Sequence, residues 1–302
     1  MISLNRFAPR VFTCAVLGLS LGMAAGKVAA QPVQATDARG VVVRLEQPAR
    51  RIVTLTPHLT ELTYAAGAGA SLAGVARFSN YPEQARHLPV VGDAVQFDVE
   101  RLLMLRPDLV LAWQSGTPSA AVARLERAGL RVFVSEANSL EDIGRGIGAI
   151  AALAGTQPAG ARARAAFDAG LRALRDRRYS GAPVRVFYEI WPKPLMTVSN
   201  AHIISEVIAL CGGVNIFGDL QPLTPEVSRE ALLAARPEVA LGGGSAESAS
   251  GFAARWAALP PPLGSVPAYH IAPDLIQRPT PRLLEGAYLV CAYLDAVRPA
   301  RR

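Results

Sequence analysis

A fourteen-residue pattern occurs twice in this chain and constrains its fold more than any other feature. Residues 98–111 read DVERLLMLRPDLVL, and residues 228–241, 130 positions further on, read SREALLAARPEVAL, with six identical positions. Each copy predicts a short helix, whose apolar face is the leucine pair, and then a buried strand, because proline cannot continue a helix. Solenoid repeats are only about 20 to 50 residues long, so this spacing predicts two similar lobes.

A long helical pattern lies between the two copies. From residue 158 onward alanine and arginine dominate, and Phe167, Leu171 and Leu174 recur at helical spacing. A helix of about 20 residues is about 30 Å long, which is enough to run from one lobe to the other.

Elsewhere, short apolar runs alternate with helical patterns, which is typical of parallel sheets flanked by helices. We therefore predict an α/β fold with an N-terminal lobe at 31–157, a single long connecting helix at 158–180 and a C-terminal lobe at 181–302. We also predict a hairpin between the apolar runs at 40–45 and 51–55.

The first 30 residues follow the pattern of a secretory signal peptide. Arg6 and Arg10 precede an apolar run from residue 11 to about 25, and small residues end the segment at Ala30. The run is shorter than the roughly 20 apolar residues of a membrane span. We predict cleavage after Ala30 and export as a soluble protein.

The mature chain is only mildly basic. Removing the leader removes three basic residues and no acidic one, so the formal charge falls from +7 to +4. Its arginines are scattered among alanine and leucine, without the basic stripe and interleaved aromatics of a nucleic-acid surface. We expect no nucleic-acid partner.

Two of the three cysteines, Cys211 and Cys291, remain after cleavage. In an oxidising compartment an isolated pair is expected to form a disulfide, which here would close a loop of about 80 residues. Two buried thiols are the alternative, because cysteine is also a small core residue.

The sequence contains none of the common catalytic or metal-binding motifs. There is no GxSxG, Walker loop, HExxH or paired-cysteine zinc motif, and the four histidines are too far apart for metal-ligand spacing. We expect no catalytic residue, no metal site and no cofactor.

Candidate ligand-binding residues lie in or beside segments that follow predicted strands, where open parallel sheets bind ligands. Large aromatics in such places indicate a flat, apolar ligand, although Trp113 and Trp191 would also suit the closure of a core at the sheet edge. The candidates are Pro57, His58, Phe78, Tyr81, Trp113, Trp191, Met196, His202, Thr224, Asp274 and Arg278. For His58 and His202 a helix-capping or surface role is the alternative.

One glutamate lies in the first helical turn of each repeat copy, Glu100 in the first and Glu230 in the second. A carboxylate there interacts favourably with the helix dipole by about 0.3 to 1 kcal/mol, which would explain either one alone. Their matched positions indicate two negative points on one face, able to bind positive groups on a two-fold partner.

Five segments carry a family resemblance: RIVTLTPHLTEL (51–62), FSNYP (78–82), VERLLMLRPDLVLAW (99–113), LCGGVNIF (210–217) and VSREALLAARP (227–237). Together they resemble the periplasmic cobalamin-binding proteins of ABC importers. These belong to the helical-backbone metal-chelate receptors, which also bind ferric siderophores and haem. The resemblance implies two α/β lobes joined by one long helix, with the ligand between them and little hinge motion.

The resemblance also implies roles for individual residues. Glu100 and Glu230 match the two glutamates that dock onto arginines of the paired permease subunits, and Cys211 and Cys291 match the disulfide positions of that family. Phe78, Trp113 and Asp274 fall where cobalamin-binding members place residues of the ligand cleft.

The chain departs from the best-known cobalamin pattern at two positions. Six residues before each glutamate, where such a protein can carry a cleft tryptophan, this chain has Ala94 and Thr224. We hypothesise that Trp191, Met196 and His202 compensate.

We therefore expect a monomeric periplasmic receptor and not an enzyme. It would capture a corrinoid, with cobalamin as the first candidate, and deliver it to the permease dimer of an ABC importer in the inner membrane. A ferric-siderophore or haem receptor of the same class is the alternative, with Tyr81 or a cleft histidine as the axial ligand of haem. An exported enzyme on a related two-lobed metal-cluster fold would need clustered cysteines or histidines, which the sequence lacks.

Overall fold

Within the residues that the structure describes, 1–2, 31–179, 181–242, 244 and 247–298, the computed structural model contains two four-stranded parallel sheets. The predicted signal peptide lies outside these residues, apart from its first two positions. Among the described helices, none combines the length and the hydropathy that crossing a bilayer requires.

The first lobe contains β1 (Val33–Thr36), β2 (Val42–Leu45), β3 (Ile52–Thr54), α1 (Pro57–Ala65), β4 (Leu72–Gly74), α2 (Val99–Met104), β5 (Leu109–Trp113), α3 (Ser119–Arg127), β6 (Val132–Ser135) and α4 (Leu140–Ala154). Helix α5 (Gln157–Arg175) follows. The second lobe contains β7 (Val184–Glu189), β8 (Trp191–Pro192), β9 (Leu195–Met196), α6 (Ile203–Leu210), β10 (Gly213–Asn215), α7 (Arg229–Ala234), β11 (Val239–Gly242), α8 (Ala249–Ala257), β12 (Ala268–His270), α9 (Pro273–Ile276) and α10 (Leu283–Val297).

The two sheets have the same topology. Their strand orders are β4-β3-β5-β6 and β10-β7-β11-β12. In each sheet the strand that comes first in the chain, β3 or β7, pairs with the strand of the repeat, β5 or β11. The registers also match, because Ile52 lies opposite Leu109 in one sheet and Val186 lies opposite Val239 in the other. The predicted duplication and α/β fold class are confirmed.

The two repeat copies fold alike. Asp98 and Ser228 cap the helices α2 and α7 by accepting a hydrogen bond from a backbone N–H three residues later. Arg106 and Arg236 then adopt left-handed backbone conformations, with φ of 45° and 46°, and turn the chain into the following strand.

Only the first leucine of each repeat pair packs onto the sheet. Leu102 and Leu232 are buried, whereas Leu103 and Leu233 are 40% and 44% exposed. The expectation that both leucines form the apolar face is therefore wrong for the second one, because a six-residue helix turns its consecutive side chains about 100° apart.

Helix α5 runs between the two sheets in the chain and packs against α1 and α4 of the first lobe and α10 of the second. Its buried side chains include Phe167, Leu171 and Leu174, as its sequence pattern predicted. Gly160 allows the close approach of α4, since a side chain there would meet the methyl group of Ala151. One hydrophobic core is continuous through both lobes on this side of the sheets.

The predicted hairpin between 40–45 and 51–55 is wrong. Strand β2 pairs antiparallel with β1, whereas β3 lies inside the parallel sheet between β4 and β5. The reason is burial: all three residues of β3 are buried, while β2 alternates between exposed and buried residues, as a strand with one solvated face does.

The disulfide prediction is confirmed. Cys211 at the end of α6 is bonded to Cys291 within α10, and both residues are fully buried. The bond ties the last helix of the chain to the second sheet's covering layer.

Candidate functional site

A cavity of about 620 Å³ opens between loops of the two lobes. Its volume lies within the roughly 300 to 1,000 Å³ of typical small-molecule sites. Its lining consists of Pro57, Phe78, Asn80, His270, Ala272, Pro273, Asp274, Leu275, Gln277, Arg278 and Arg282. Four of the predicted ligand residues, Pro57, Phe78, Asp274 and Arg278, therefore come together here.

Two helix starts bring their residues to this cavity from the carboxyl ends of strands. Thr56 caps α1 directly after β3, with Pro57 as the first helical residue, where its fixed φ suits a helix and its missing N–H is not needed. Pro273 is likewise the first residue of α9, which follows β12, and the next residue, Asp274, lies in the first turn. The location agrees with the rule that open parallel sheets bind ligands at this edge.

Phe78 is the most exposed aromatic residue at the cavity. Its side chain is 72% exposed, and its backbone is left-handed with φ of 66°, a conformation that costs a non-glycine residue free energy. The next residue, Ser79, is buried and shares a 2.9 Å hydrogen bond with Thr60, while Arg278 donates to the Phe78 carbonyl at 3.2 Å. The surrounding contacts therefore hold an apolar ring in water beside the cavity.

A buried carboxylate, Glu61, lies at the centre of a polar network behind the cavity. Arg278 Nη1 donates to Glu61 Oε1 at 2.8 Å, Thr280 donates to Oε2 at 3.1 Å, and Arg282 Nη1 lies 3.4 Å from Oε1. Burial raises the pKa of Glu61, and the hydrogen bond and charge of Arg278 oppose that rise.

Arg278 and Arg282 also contact the loop that carries Phe78. Arg278 donates to Asn80 Oδ1 at 2.7 Å and forms an ion pair with Asp274 at 2.7 Å. The guanidinium of Arg282 lies 4.1 Å above the ring of Tyr81, a cation–π contact. Tyr81 thus borders the cavity through Arg282.

A second group of predicted residues surrounds Glu136. Trp113 Nε1 donates to this carboxylate at 2.9 Å, and the ring of His58 lies edge-on to Trp113. Burial, and then the charge of Arg278, lower the pKa of His58 to about 3. Burial also lowers the pKa of His202 to about 4, although the charge of Glu136 opposes it.

Both imidazoles are therefore neutral at neutral pH and act as hydrogen-bonding groups without charge. His202 also caps α6, because its Nδ1 accepts a hydrogen bond from the Ile204 N–H at 3.2 Å. This is the capping alternative that the sequence left open.

A third group lies on the second lobe. Trp191 and Met196 face each other in the short hairpin β8–β9, and the indole of Trp191 donates to the Lys193 carbonyl at 3.0 Å. The segment that contains Thr224 runs beside this hairpin, since the Thr197 N–H donates to the Pro225 carbonyl at 3.0 Å. None of the predicted residues of this group is in the cavity lining.

Glu100 and Glu230 lie in the first turns of α2 and α7, at matched positions of the two lobes, and both are exposed. The backbone N–H of Glu230 and the Ser228 hydroxyl lower the pKa of Glu230. That carboxylate is therefore anionic at neutral pH. In the described part of the chain, no three histidine, cysteine, aspartate or glutamate side chains converge to hold a metal ion.

Comparison with known proteins shows which protein family this chain belongs to. The family model described as "Periplasmic binding protein" matches residues 52–268. The chain belongs to the periplasmic binding protein family. The family comprises substrate-binding components of ABC importers, so the chain is a binding protein and not an enzyme, and the family places it in the periplasm.

Among the proteins that this chain resembles, some are named for vitamin B12 and others for heme. The vitamin B12-binding protein of Vibrio cholerae serotype O1 (strain M66-2) is 37% identical over 250 residues, which are 82% of this chain and 90% of that protein. The crystal structure of the periplasmic vitamin B12 binding protein BtuF of Vibrio cholerae has a TM-score of 0.76 and 35% identity, and covers 84% of this chain and 99% of that one. The periplasmic heme-binding protein RhuT from Roseiflexus sp. RS-1 has a TM-score of 0.73 and 26% identity, with coverages of 83% and 100%.

Several polar residues at the site of this periplasmic binding protein were not singled out from the sequence, among them Glu61, Asn80, Glu136, Gln277 and Arg282. Glu61 and Asn80 lie inside two of the motif segments, so the motif that contains them was their signal. Glu136 and Arg282 had no such signal, because each is one charged residue in a loop or at a helix start, and only the fold shows what it contacts.

Proposed function

We propose that this chain is a periplasmic receptor that binds a corrinoid, cobalamin first among them, in the cavity between its lobes and delivers it to the permease dimer of an ABC importer. The observation that carries the proposal is the composition of the cavity. The exposed ring of Phe78 offers an apolar face, while Asn80, Asp274 and Gln277 offer polar groups on both lobes.

This combination suits a corrinoid in two ways. A large conjugated macrocycle buries much apolar area against an aromatic ring, and its peripheral amides need hydrogen-bonding partners once they leave water. The vitamin B12-binding relatives support the same ligand. The corrinoid is then the cargo, and no resident cofactor or metal is required.

The remaining ligand candidates belong to the same proposal. Trp113 and His202 lie beside the Glu136 carboxylate, and His58 packs edge-on against Trp113. Trp191 and Met196 pair in the hairpin of the second lobe, and the segment with Thr224 runs beside it. We propose that these two groups contact the parts of a large ligand that extend beyond the cavity between the loops.

Glu100 and Glu230 are proposed to dock the receptor onto the permease. Two exposed carboxylates at matched positions of two similar lobes suit two matched cationic sites on a two-fold partner. The receptor would act as a monomer, with the leader cleaved after Ala30, lobes at 31–157 and 181–302 and the connecting helix between them.

A haem or ferric-siderophore receptor is the alternative. One observation favours haem, because His270 lines the cavity and offers an imidazole as an axial ligand of iron. Corrinoid recognition requires no such protein ligand.

Calorimetric titration of the mature protein with cyanocobalamin, haemin and a ferric hydroxamate siderophore tests the proposal. Binding of cyanocobalamin at micromolar concentration or below, retained in His270→Ala, is the expected result. Binding of haemin alone, lost in His270→Ala, would replace the corrinoid by haem, and no binding of cyanocobalamin at micromolar concentration would refute the proposal.

A further inference from the structure

The two lobes are joined across the cavity by a buried ionic network centred on Glu61. The Glu61 side chain is only 2% exposed, and it belongs to α1 of the first lobe. Its partners Arg278, Thr280 and Arg282 belong to the second lobe, 217 to 221 positions away in the chain. This carboxylate is therefore satisfied by donors from the opposite lobe.

Arg278 makes several polar contacts between the lobes. Besides Glu61, it donates to Asn80 Oδ1 and to the Phe78 carbonyl in the first lobe, and it pairs with Asp274 in its own lobe. Asn80 in turn donates to Asp274 Oδ2 at 2.8 Å, which closes a ring of contacts across the gap.

These contacts occupy most of the N–H donors of the Arg278 guanidinium. Its Nη1 serves two acceptors of the first lobe, and its Nη2 serves Phe78 and Asp274. Little donor capacity remains for a ligand, since a guanidinium has five N–H groups in a fixed fork. The residue therefore acts on the cavity through the groups that it holds.

Phe78 is the clearest of these groups. Its left-handed backbone is unfavourable for a phenylalanine, and the hydrogen bond from Arg278 to its carbonyl is a contact that stabilises it from the second lobe. The position of the exposed ring thus depends on the distance between the lobes.

We propose that Glu61 and Arg278 are positioning residues, which set the spacing of the lobes in the unliganded receptor and hold Phe78 beside the cavity. The part that concerns ligand affinity rests on the proposed function. A carboxylate and a guanidinium that are both buried and paired resist separation, because each would otherwise remain as an uncompensated charge. The receptor then enters binding with its cavity preformed, without ordering the loop during capture.

The second lobe contains a matched network that does not cross the gap. Glu189 at the end of β7 is buried like Glu61, and Arg255 Nη1 donates to its Oε2 at 3.0 Å. Trp256 Nε1 donates to the same oxygen at 3.2 Å. Arg255→Lys thus perturbs a buried glutamate–arginine pair within one lobe and serves as the control.

The test measures the distance between the lobes directly. Spin labels on the exposed residues Ala120 of α3 and Ala253 of α8, introduced as cysteines with the native disulfide intact, report the spacing by pulsed electron resonance. The labelled parent chain should give one narrow distance distribution without ligand. Glu61→Gln and Arg278→Lys should each broaden it, and Arg255→Lys should leave it narrow.

Cyanocobalamin affinity provides the second readout. If the competent arrangement falls to about a tenth of the population, the apparent affinity falls about tenfold, and saturating ligand should restore the narrow distribution. Arg278→Lys is the alternative should Glu61→Gln fail to fold, because lysine keeps the charge but loses the planar fork.

A narrow, unchanged distribution in both variants would overturn the proposal, whatever the affinity does. If the parent chain binds no cyanocobalamin, the proposed function fails, but the distance measurement without ligand still decides the positioning role. The two failures are therefore distinguishable.

Discussion

His58 lies edge-on to Trp113, with their ring centroids 5.4 Å apart and their planes inclined by 85°. This arrangement buries the imidazole, whose Nε2 lies 3.4 Å from the Thr56 hydroxyl. The burial, and then the charge of Arg278, lower the pKa of His58 to about 3. His58 therefore links helix α1 to Trp113, the last residue of strand β5.

The buried His58 predicts a loss of stability in acid. Its unfolded pKa is about 6.5, so below that pH the unfolded chain binds a proton that the folded chain binds only near pH 3. The free energy of unfolding should therefore decrease as pH falls from 6.5, by about 1.4 kcal/mol per pH unit from this residue. Urea unfolding at pH 7.5 and pH 5.0 measures this change in the free energy of unfolding.

Between pH 7.5 and 5.0, the free energy of unfolding of His58→Gln should decrease by about 2 kcal/mol less than that of the parent chain. His87→Gln, at an exposed histidine, is the control and should behave like the parent chain. Equal pH dependence of the parent chain and His58→Gln would show that His58 is not neutral when folded.

The bond between Cys211 and Cys291 predicts a large stabilisation. It joins residues 80 positions apart, for which the chain-entropy model gives about 4.5 kcal/mol. Replacing both cysteines by alanine should lower the free energy of unfolding by about this amount, which is measured as a lower urea midpoint. A midpoint that is the same in the oxidised parent and the double variant would contradict the prediction.

The repeat leucines predict two very different responses to alanine. Leu102→Ala removes a fully buried side chain and should cost about 2 to 5 kcal/mol of unfolding free energy. Leu103→Ala, at the exposed neighbour, should cost less than about 0.5 kcal/mol. Similar costs for the two variants would mean that both side chains pack against the sheet.

The paired glutamates predict a separation of binding from transport. The double variant Glu100→Ala, Glu230→Ala should keep the calorimetric affinity of the parent chain for cyanocobalamin, because the ligand cavity is untouched. Its uptake of cyanocobalamin into cells should fall to background, because both docking charges are lost. Glu46→Ala, at an exposed glutamate outside the repeats, is the matched control. Undiminished uptake by the double variant would exclude the docking role.

The lobes and their strands could be predicted from the sequence because local patterns determine them. The repeat at 98–111 and 228–241 contains its own cap, helix, turn and strand, and both copies fold as predicted apart from their second leucine. The hairpin was mispredicted because neighbouring apolar runs do not show which strand each will pair with, and β3 has its partners far along the chain.

The cavity could be predicted only in part. The strand-end rule placed Phe78 and Asp274 at one site, since parallel strands end at a common edge. It could not show that Arg278 binds Glu61 and Asn80, because those contacts depend on how segments about 200 positions apart in the chain meet.

The affinity of Phe78→Ala for cyanocobalamin tests the central claim most directly. Phe78 is exposed in the free receptor, so its loss should not unfold the chain. A ligand that covers its ring should lose about 1.5 to 3 kcal/mol of binding free energy, or about 10- to 150-fold in affinity. Tyr288→Ala, at an exposed aromatic on α10, should bind like the parent chain. Unchanged affinity in Phe78→Ala would contradict capture of a corrinoid in this cavity.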